Sequence, residues 1–174
     1  MSKFPGHSPP TGAYAGDVTA QQAWSVLASN PDAVLVDVRT QIEWTLIGKP
    51  DLSQISREPV YLQWVTMQGP NPNFVSELQA ALEARKVPKD APVYFLCQSG
   101  GRSKIAAIQG TGLGYTSCYN IAEGFEGALD EHNKTRRGVV AFGAVTDPAG
   151  VPTAGTARYV GMAYGSYSST GANG

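Results

Sequence analysis

Short, nearly uninterrupted apolar segments recur along the chain as far as residue 121, and more polar stretches separate them. Strands covered on both faces of a parallel sheet have this pattern, because neither face of the strand meets water. Asp17 and Val18 come just before the first amphipathic segment and predict a short first strand. The remaining apolar segments predict four further strands, over 33–37, 59–64, 92–96 and 116–121.

Amphipathic segments lie between these strands and predict helices. Thr19 and Gln22 have the spacing of a capping box, which begins a helix that ends at Ser29, before Asn30-Pro31. Another helix is predicted from Arg102 to about Leu113, directly after the strand over 92–96.

The helix between these two shows the clearest periodicity. Phe74, Leu78 and Leu82 recur every four residues and form one apolar helix face. We predict that this helix begins at Asn71-Pro72, with Pro72 at its first position, and that it ends near Lys86.

Strands that alternate with helices predict an α/β fold. The expected architecture is a central parallel sheet of about five strands, with right-handed crossovers and helices on both faces. Ligands of such sheets bind beyond the carboxyl ends of the strands. Asp37, Trp64, Cys97 and Asn120 all lie near these predicted ends, so we expect a site there.

Length and composition predict one folded domain with two extensions in a chain of 174 residues. Residues 1–15 are predicted to be a flexible arm, 16–135 the domain, and 136–174 a loosely ordered tail rich in Gly, Ala, Ser and Tyr. From Pro148 onward Arg158 is the only charged residue, a composition with little to bury. An alternative is that the tyrosines of this tail dock on the domain or self-associate.

Charge and composition exclude several classes of protein. A net charge of −1 gives no indication of a nucleic-acid partner. No apolar run is long enough to cross a membrane, and the first residues do not resemble a signal peptide, so we expect no membrane partner. Two cysteines make no disulfide framework, which favours a reducing, cytoplasmic location. His7 and His132 lack ligand spacing, so no metal is expected.

The segment Cys97-Gln98-Ser99-Gly100-Gly101-Arg102-Ser103 joins a predicted strand to a predicted helix. This order places the thiol at the carboxyl end of a strand, facing the positive N-terminal end of a helix. Backbone N–H groups of such a loop form a concave anion site, which stabilises a thiolate. The alternative is a structural cysteine that is buried before a glycine-rich turn.

This loop resembles the active-site loop of rhodanese-like sulfurtransferases, Cys-Arg-Ser-Gly-x-Arg-Ser, and departs from it at Gln98. The related Cys-dependent phosphatases have a longer loop. Val34-Leu35-Val36-Asp37-Val38-Arg39 resembles the family's Asp-Val-Arg signature, and Glu43-Trp44 follows at the family's spacing. Residues 120–127 resemble the family's Asn-x-x-Gly-Gly turn, and Trp64 is typical of a bacterial subgroup of single-domain members.

The resemblance covers about residues 15–130 and implies transfer of a sulfane sulfur through a persulfide on Cys97. The implied donor is thiosulfate or a similar molecule, and the acceptor is cyanide or a thiol, with a protein sulfur acceptor left open. No metal or organic cofactor is implied. Arg102 is the implied anion clamp, and the implied substrate loop consists of Gln98, Ser99, Gly100, Gly101 and Ser103.

The supporting residues of the implied site are Asp37, Arg39, Glu43 and Trp64. We expect Asp37 to brace the loop or to pair with an arginine, with Arg102 as one candidate partner. We expect Arg39 and Glu43 to form an ion pair. Trp64, like Trp44, is expected either to wall the pocket or to belong to the core.

Two other functions use the same thiol. The first alternative is a persulfide carrier, or a sulfur or redox sensor, that acts on a protein partner. The second alternative is a Cys-dependent phosphatase or arsenate reductase. The short loop of four residues between Cys97 and Arg102 argues against the second. We expect Cys118, in an apolar run, to be a core residue, with a sulfur-relaying thiol as the alternative.

Overall fold

A computed structural model describes residues 13–127 and the backbone of 157–158 and 166–167. The strands are β1 Gly16–Val18, β2 Val34–Asp37, β3 Val60–Tyr61, β4 Val65–Thr66, β5 Gly69–Pro70, β6 Val93–Leu96, β7 Cys118–Ile121, β8 Ala157–Arg158 and β9 Ser166–Tyr167. The helices are α1 Ala20–Ser29, α2 Gln41–Leu46, α3 Phe74–Ala84 and α4 Gly101–Gly112, with a 3₁₀ turn at Ser53–Ile55.

Five of the strands form a parallel sheet in the order β1-β7-β6-β2-β3. Side chains of β2 and β6 alternate between two buried clusters, as the period of two along a strand requires. Val36 and Phe95 pack against α3 and α4 on one face, while Leu35 and Leu96 pack against α1 on the other. The predicted α/β fold, with a parallel sheet of five strands and helices on both faces, is therefore confirmed.

The third predicted strand is largely wrong. Only Val60–Tyr61 pairs with β2, and the chain then turns into a small antiparallel hairpin of β4 and β5. The backbone N–H of Trp64 still bonds to the carbonyl of Val38, at 3.1 Å, so the apolar segment stays beside the sheet without forming a regular ladder. The last of the predicted strands is β7, which begins at Cys118, two residues after the predicted start at 116.

The capping box at the start of α1 is confirmed, with both reciprocal bonds between Thr19 and Gln22 present. The prediction that Pro72 is the first residue of the helix observed as α3 is wrong. The side chain of Asn71 accepts the backbone N–H of Asn73, at 3.0 Å, and this turn delays the first helical residue to Phe74. The short helix α2 lies where no element was predicted.

Most of the predicted arm and tail lies outside the described residues. At the inner end of the arm, the backbone N–H of Ala15 bonds to the carbonyl of Cys118, which continues the pairing of β1 with β7. Within 136–174, β8 and β9 pair antiparallel. Across the described part of the chain, the helices are too short or too polar to traverse a bilayer.

Candidate active site

Cys97 follows the last residue of β6, and its side chain is only 1% exposed. Two donors converge on its sulfur. The backbone N–H of Gly100 and the hydroxyl of Ser103 each lie 3.1 Å from Sγ. Both donors stabilise a negatively charged sulfur, which is the form that acts as a nucleophile. The structure thus forms the predicted cradle around this thiol.

The loop is closed from the other side by the turn that follows β7. The backbone N–H groups of Phe125 and Glu126 donate to the carbonyls of Cys97 and Gln98, at 2.8 and 3.1 Å. The amide of Gln98 also donates to the Glu126 carboxylate, at 2.6 Å. These bonds anchor the loop to the turn after β7, on the strand side of the Gly100 amide that donates to the sulfur.

Two glycines make this close approach possible. Gly100 has a φ of +93° and Gly124 a φ of +62°, both in the region that favours glycine. A Cβ at Gly100 would collide with the carbonyl of Ala122, and a Cβ at Gly124 would collide with the carbonyl of Gln98. The loop and the turn after β7 therefore fit together only because neither glycine has a side chain.

Arg102 forms a bidentate ion pair with Glu43. Its Nη1 and Nη2 donate to the two carboxylate oxygens at 2.8 and 2.7 Å. The prediction that Glu43 pairs with Arg39 is therefore wrong, and so is the expectation that Asp37 holds Arg102. Glu43 also closes the capping box of α2, because its carboxylate accepts the backbone N–H of Thr40. The same carboxylate thus links the start of α2 to Arg102.

The charges of this ion pair are strongly stabilised. Burial alone disfavours ionised Glu43, but the hydrogen bonds from Arg102 and Thr40 outweigh burial and lower the pKa of Glu43 to about 2. The bonds to Glu43 raise the pKa of Arg102 against the effect of burial, and the Cys97 charge adds to that rise. The Arg102 side chain remains 26% exposed, so the ion pair is not fully enclosed.

Asp37 and Arg39 form a second ion pair, which is buried beneath the site. Their side chains are 0% and 1% exposed, and Nη2 of Arg39 lies 2.7 Å from the carboxylate. Arg39 also donates to the carbonyl of Gly48, at 2.8 Å, and its guanidinium lies 3.7 Å from the centre of the Phe125 ring. This confirms that Asp37 pairs with an arginine, and it assigns both residues a bracing role.

The other predicted residues occupy two kinds of position. Gln98 and Ser99 are exposed on the loop, and Gly101 is exposed at the start of α4. Trp64 is 6% exposed and packs edge-to-face on Phe74 within the core, with ring centres 4.7 Å apart. Within 13–127 we find no cluster of metal-ligating side chains.

Cys118 lies in the core, as predicted, on the strand next to the one that delivers Cys97. Its side chain is fully buried, and burial raises the pKa of its thiol to about 11. A thiol of this kind is inert as a nucleophile at neutral pH. It therefore serves as a natural internal control for chemistry at Cys97.

Sequence reasoning missed how polar residues behind the loop are connected. The Ser103 hydroxyl, whose single proton can go either to Sγ of Cys97 or to Oδ1 of Asn120, lies 2.6 Å from that oxygen, and Asn120 donates to Asp17, at 3.0 Å. Asn120 was expected near the site as a strand-end residue, but its partner Asp17 was not. The sequence does contain one usable signal for Glu43, because Thr40 and Glu43 have capping-box spacing.

Comparison with known proteins agrees with this geometry. The family model of the STR4 middle domain matches residues 15–135. An uncharacterized protein of Rickettsia conorii is 39% identical over 111 residues, which cover 64% of this chain and 84% of that protein. The chloroplastic Rhodanese-like domain-containing protein 4 of Arabidopsis thaliana is 26% identical over 112 residues, 64% of this chain and 23% of that protein.

A solved structure gives the same answer for the fold. The crystal structure of Rv0390 from M. tuberculosis superposes with a TM-score of 0.62, at 47% sequence identity, and the match covers 75% of this chain and 92% of that one. The family match spans well over half of the chain and includes the whole sheet together with the Cys97 loop. The chain therefore belongs to the STR4 middle domain family and is a rhodanese-like domain.

Proposed function

We propose that this protein is a sulfurtransferase that carries a sulfane sulfur as a persulfide on Cys97. The observation that supports this most directly is the convergence of the Gly100 N–H and the Ser103 hydroxyl on Sγ, each at 3.1 Å. A buried sulfur with two donors is prepared to carry negative charge. The half-buried guanidinium of Arg102 adds a cation for an anionic donor.

The reaction has two covalent steps. In the first, the Cys97 thiolate attacks the outer sulfur of thiosulfate, the S–S bond of the donor breaks, and sulfite leaves with its electron pair. In the second, cyanide or a thiolate attacks the outer sulfur of the persulfide. The S–S bond to Cys97 then breaks, and the thiolate is regenerated.

Access to the site favours a small donor. Because Cys97 is 1% exposed, a donor reaches its sulfur through the loop mouth, where Gln98 and Ser99 are exposed. Thiosulfate and low-molecular-weight persulfides are small enough to do so. A free thiolate of this kind also needs a reducing compartment, and we propose the cytoplasm.

The test is intact-protein mass spectrometry after incubation of the reduced chain with thiosulfate, followed by cyanide. We expect a gain of one sulfur atom, which cyanide then removes as thiocyanate. Cys97→Ser should gain no sulfur, whereas Cys118→Ala should gain it as the wild type does. Since the chain has only these two cysteines, the pair of variants assigns the sulfur to one atom.

Each other result has a definite meaning. A sulfur adduct that persists in Cys97→Ser would overturn the assignment of the nucleophile. A stable adduct without turnover would indicate a persulfide carrier or sensor instead of an enzyme. No adduct with thiosulfate or any persulfide, together with phosphate release from an aryl phosphate, would replace the proposal by a phosphatase.

A further inference from the structure

Behind Cys97, three polar side chains form a continuous hydrogen-bonded network, which we call the Asp17–Asn120–Ser103 network. Ser103 and Asn120 are 0% and 3% exposed, whereas Asp17 is at the sheet edge. The parallel register of β1 and β7 pairs Asp17 directly with Asn120. The network thus leads from the protein surface to the sulfur, at 3.0, 2.6 and 3.1 Å for its successive bonds.

Asp17 determines which way the Asn120 amide faces. An ionised carboxylate only accepts hydrogen bonds, so the Nδ2 of Asn120 must turn toward Asp17. The hydrogen bonds from Tyr14 and Asn120 lower the pKa of Asp17, so it remains ionised at neutral pH. As a consequence, Oδ1 of Asn120 faces Ser103 and can only accept from it.

The Ser103 hydroxyl then has two acceptors for a single proton. When Cys97 is a thiol, its S–H donates to Oγ of Ser103, and the hydroxyl proton remains on the bond to Asn120. When Cys97 has released its proton to solvent, the hydroxyl can stabilise the thiolate only by turning toward Sγ. Oδ1 of Asn120 then loses its donor in a buried position, which costs free energy.

We propose that Asn120, oriented by Asp17, is a positioning residue that competes with Cys97 for the Ser103 hydroxyl proton and so limits how much of Cys97 is thiolate. The competition keeps the resting thiol less reactive toward stray electrophiles. Removing the Ser103 hydroxyl and removing the Asn120 side chain that competes for its proton must therefore change thiolate reactivity in opposite directions. This inference rests on Cys97 as the nucleophile of the proposed function.

The experiment measures the rate of Cys97 alkylation by iodoacetamide at neutral pH, on the reduced chain, by mass spectrometry. Ser103→Ala should slow alkylation by about threefold to tenfold, since the thiolate loses one hydrogen bond. Asn120→Ala should accelerate it by about the same factor, because the hydroxyl is released to the sulfur. A purely structural role would slow or speed both variants alike.

Asp17→Asn tests the orientation step at the sheet edge, where loss of folding is least expected. An asparagine at this position can donate as well as accept, so it no longer forces Oδ1 of Asn120 toward Ser103. We expect alkylation of Asp17→Asn to accelerate by about twofold to fivefold. Tyr14→Phe, which keeps the Asp17 carboxylate, should match the wild type within about twofold.

The outcomes separate this inference from the proposed function. Equal alkylation rates in wild type and Asp17→Asn, or slower alkylation in Asn120→Ala with native near-ultraviolet circular dichroism, would overturn the competition. Neither result depends on sulfur transfer, because alkylation needs only the thiolate. Failure of every sulfur donor would instead refute the proposed function and leave the alkylation result standing.

Discussion

Replacing Glu43 by Gln tests how strongly the ion pair with Arg102 supports the loop. The pKa of Glu43 falls from 4.5 to about 2, and each unit corresponds to about 1.4 kcal/mol. The full shift is thus worth about 3 kcal/mol of unfolding free energy at neutral pH. Since the two side chains are 15% and 26% exposed, solvent screening reduces the expected loss to about 1–2 kcal/mol.

The pH dependence follows from the direction of the shift. Because folding lowers the pKa of Glu43, its contribution is fully present above the ordinary value of 4.5 and is lost as the pH falls toward about 2. Urea unfolding of wild type and Glu43→Gln, monitored by tryptophan fluorescence, should therefore show a stability difference that shrinks by about half between pH 7 and pH 3.

Glu83→Gln provides the matched control, since this carboxylate lies exposed on α3, where it accepts a hydrogen bond from the amide of Gln79. Its stability should differ from that of the wild type by less than about 0.5 kcal/mol at either pH. If Glu43→Gln loses the same free energy at pH 7 and pH 3, the carboxylate charge is not what holds Arg102. The loss would then come from packing or from the cap of α2.

Three further changes test the site. Gly124→Ala should cost about 2 kcal/mol or more in urea unfolding, because its Cβ meets the Gln98 carbonyl. Gly114→Ala should cost less, because φ is also positive there but the Cβ meets only the Lys89 side chain at an ordinary 4.0 Å; equal costs would show that only φ matters. Gln98→Arg should raise kcat/KM for thiosulfate by about threefold through added positive charge, and an unchanged value would argue against an anionic donor at the loop mouth. Asp37→Asn should destabilise the fold by about 3–5 kcal/mol, since it leaves Arg39 buried without its counter-ion; thermal unfolding within a few degrees of the wild type would contradict a bracing ion pair.

Much of the architecture follows from local patterns. The continuous apolar segments at 33–37 and 92–96 form central strands, because both faces of a central strand are covered and apolar side chains are buried on each of them. The capping box at Thr19 predicts the start of α1 correctly, since its two hydrogen bonds join neighbours in the chain. The segment over 59–64 is also largely apolar but forms only two paired residues, because the chain after Tyr61 leaves the regular ladder and enters the hairpin of β4 and β5.

The sequence by itself determined the position of the proposed nucleophile, since an apolar strand, a short glycine-containing loop and a helix suffice to place Cys97 at the carboxyl end of β6. Only the tertiary structure decided which charged and polar groups surround it. Arg102 meets Glu43 across 59 positions, and Asn120 meets Asp17 across 103. The register of β1 with β7 brings Asp17 to Asn120, and the position of α2 beside the loop brings Glu43 to Arg102. A local sequence pattern contains neither piece of information, because both depend on contacts between distant segments.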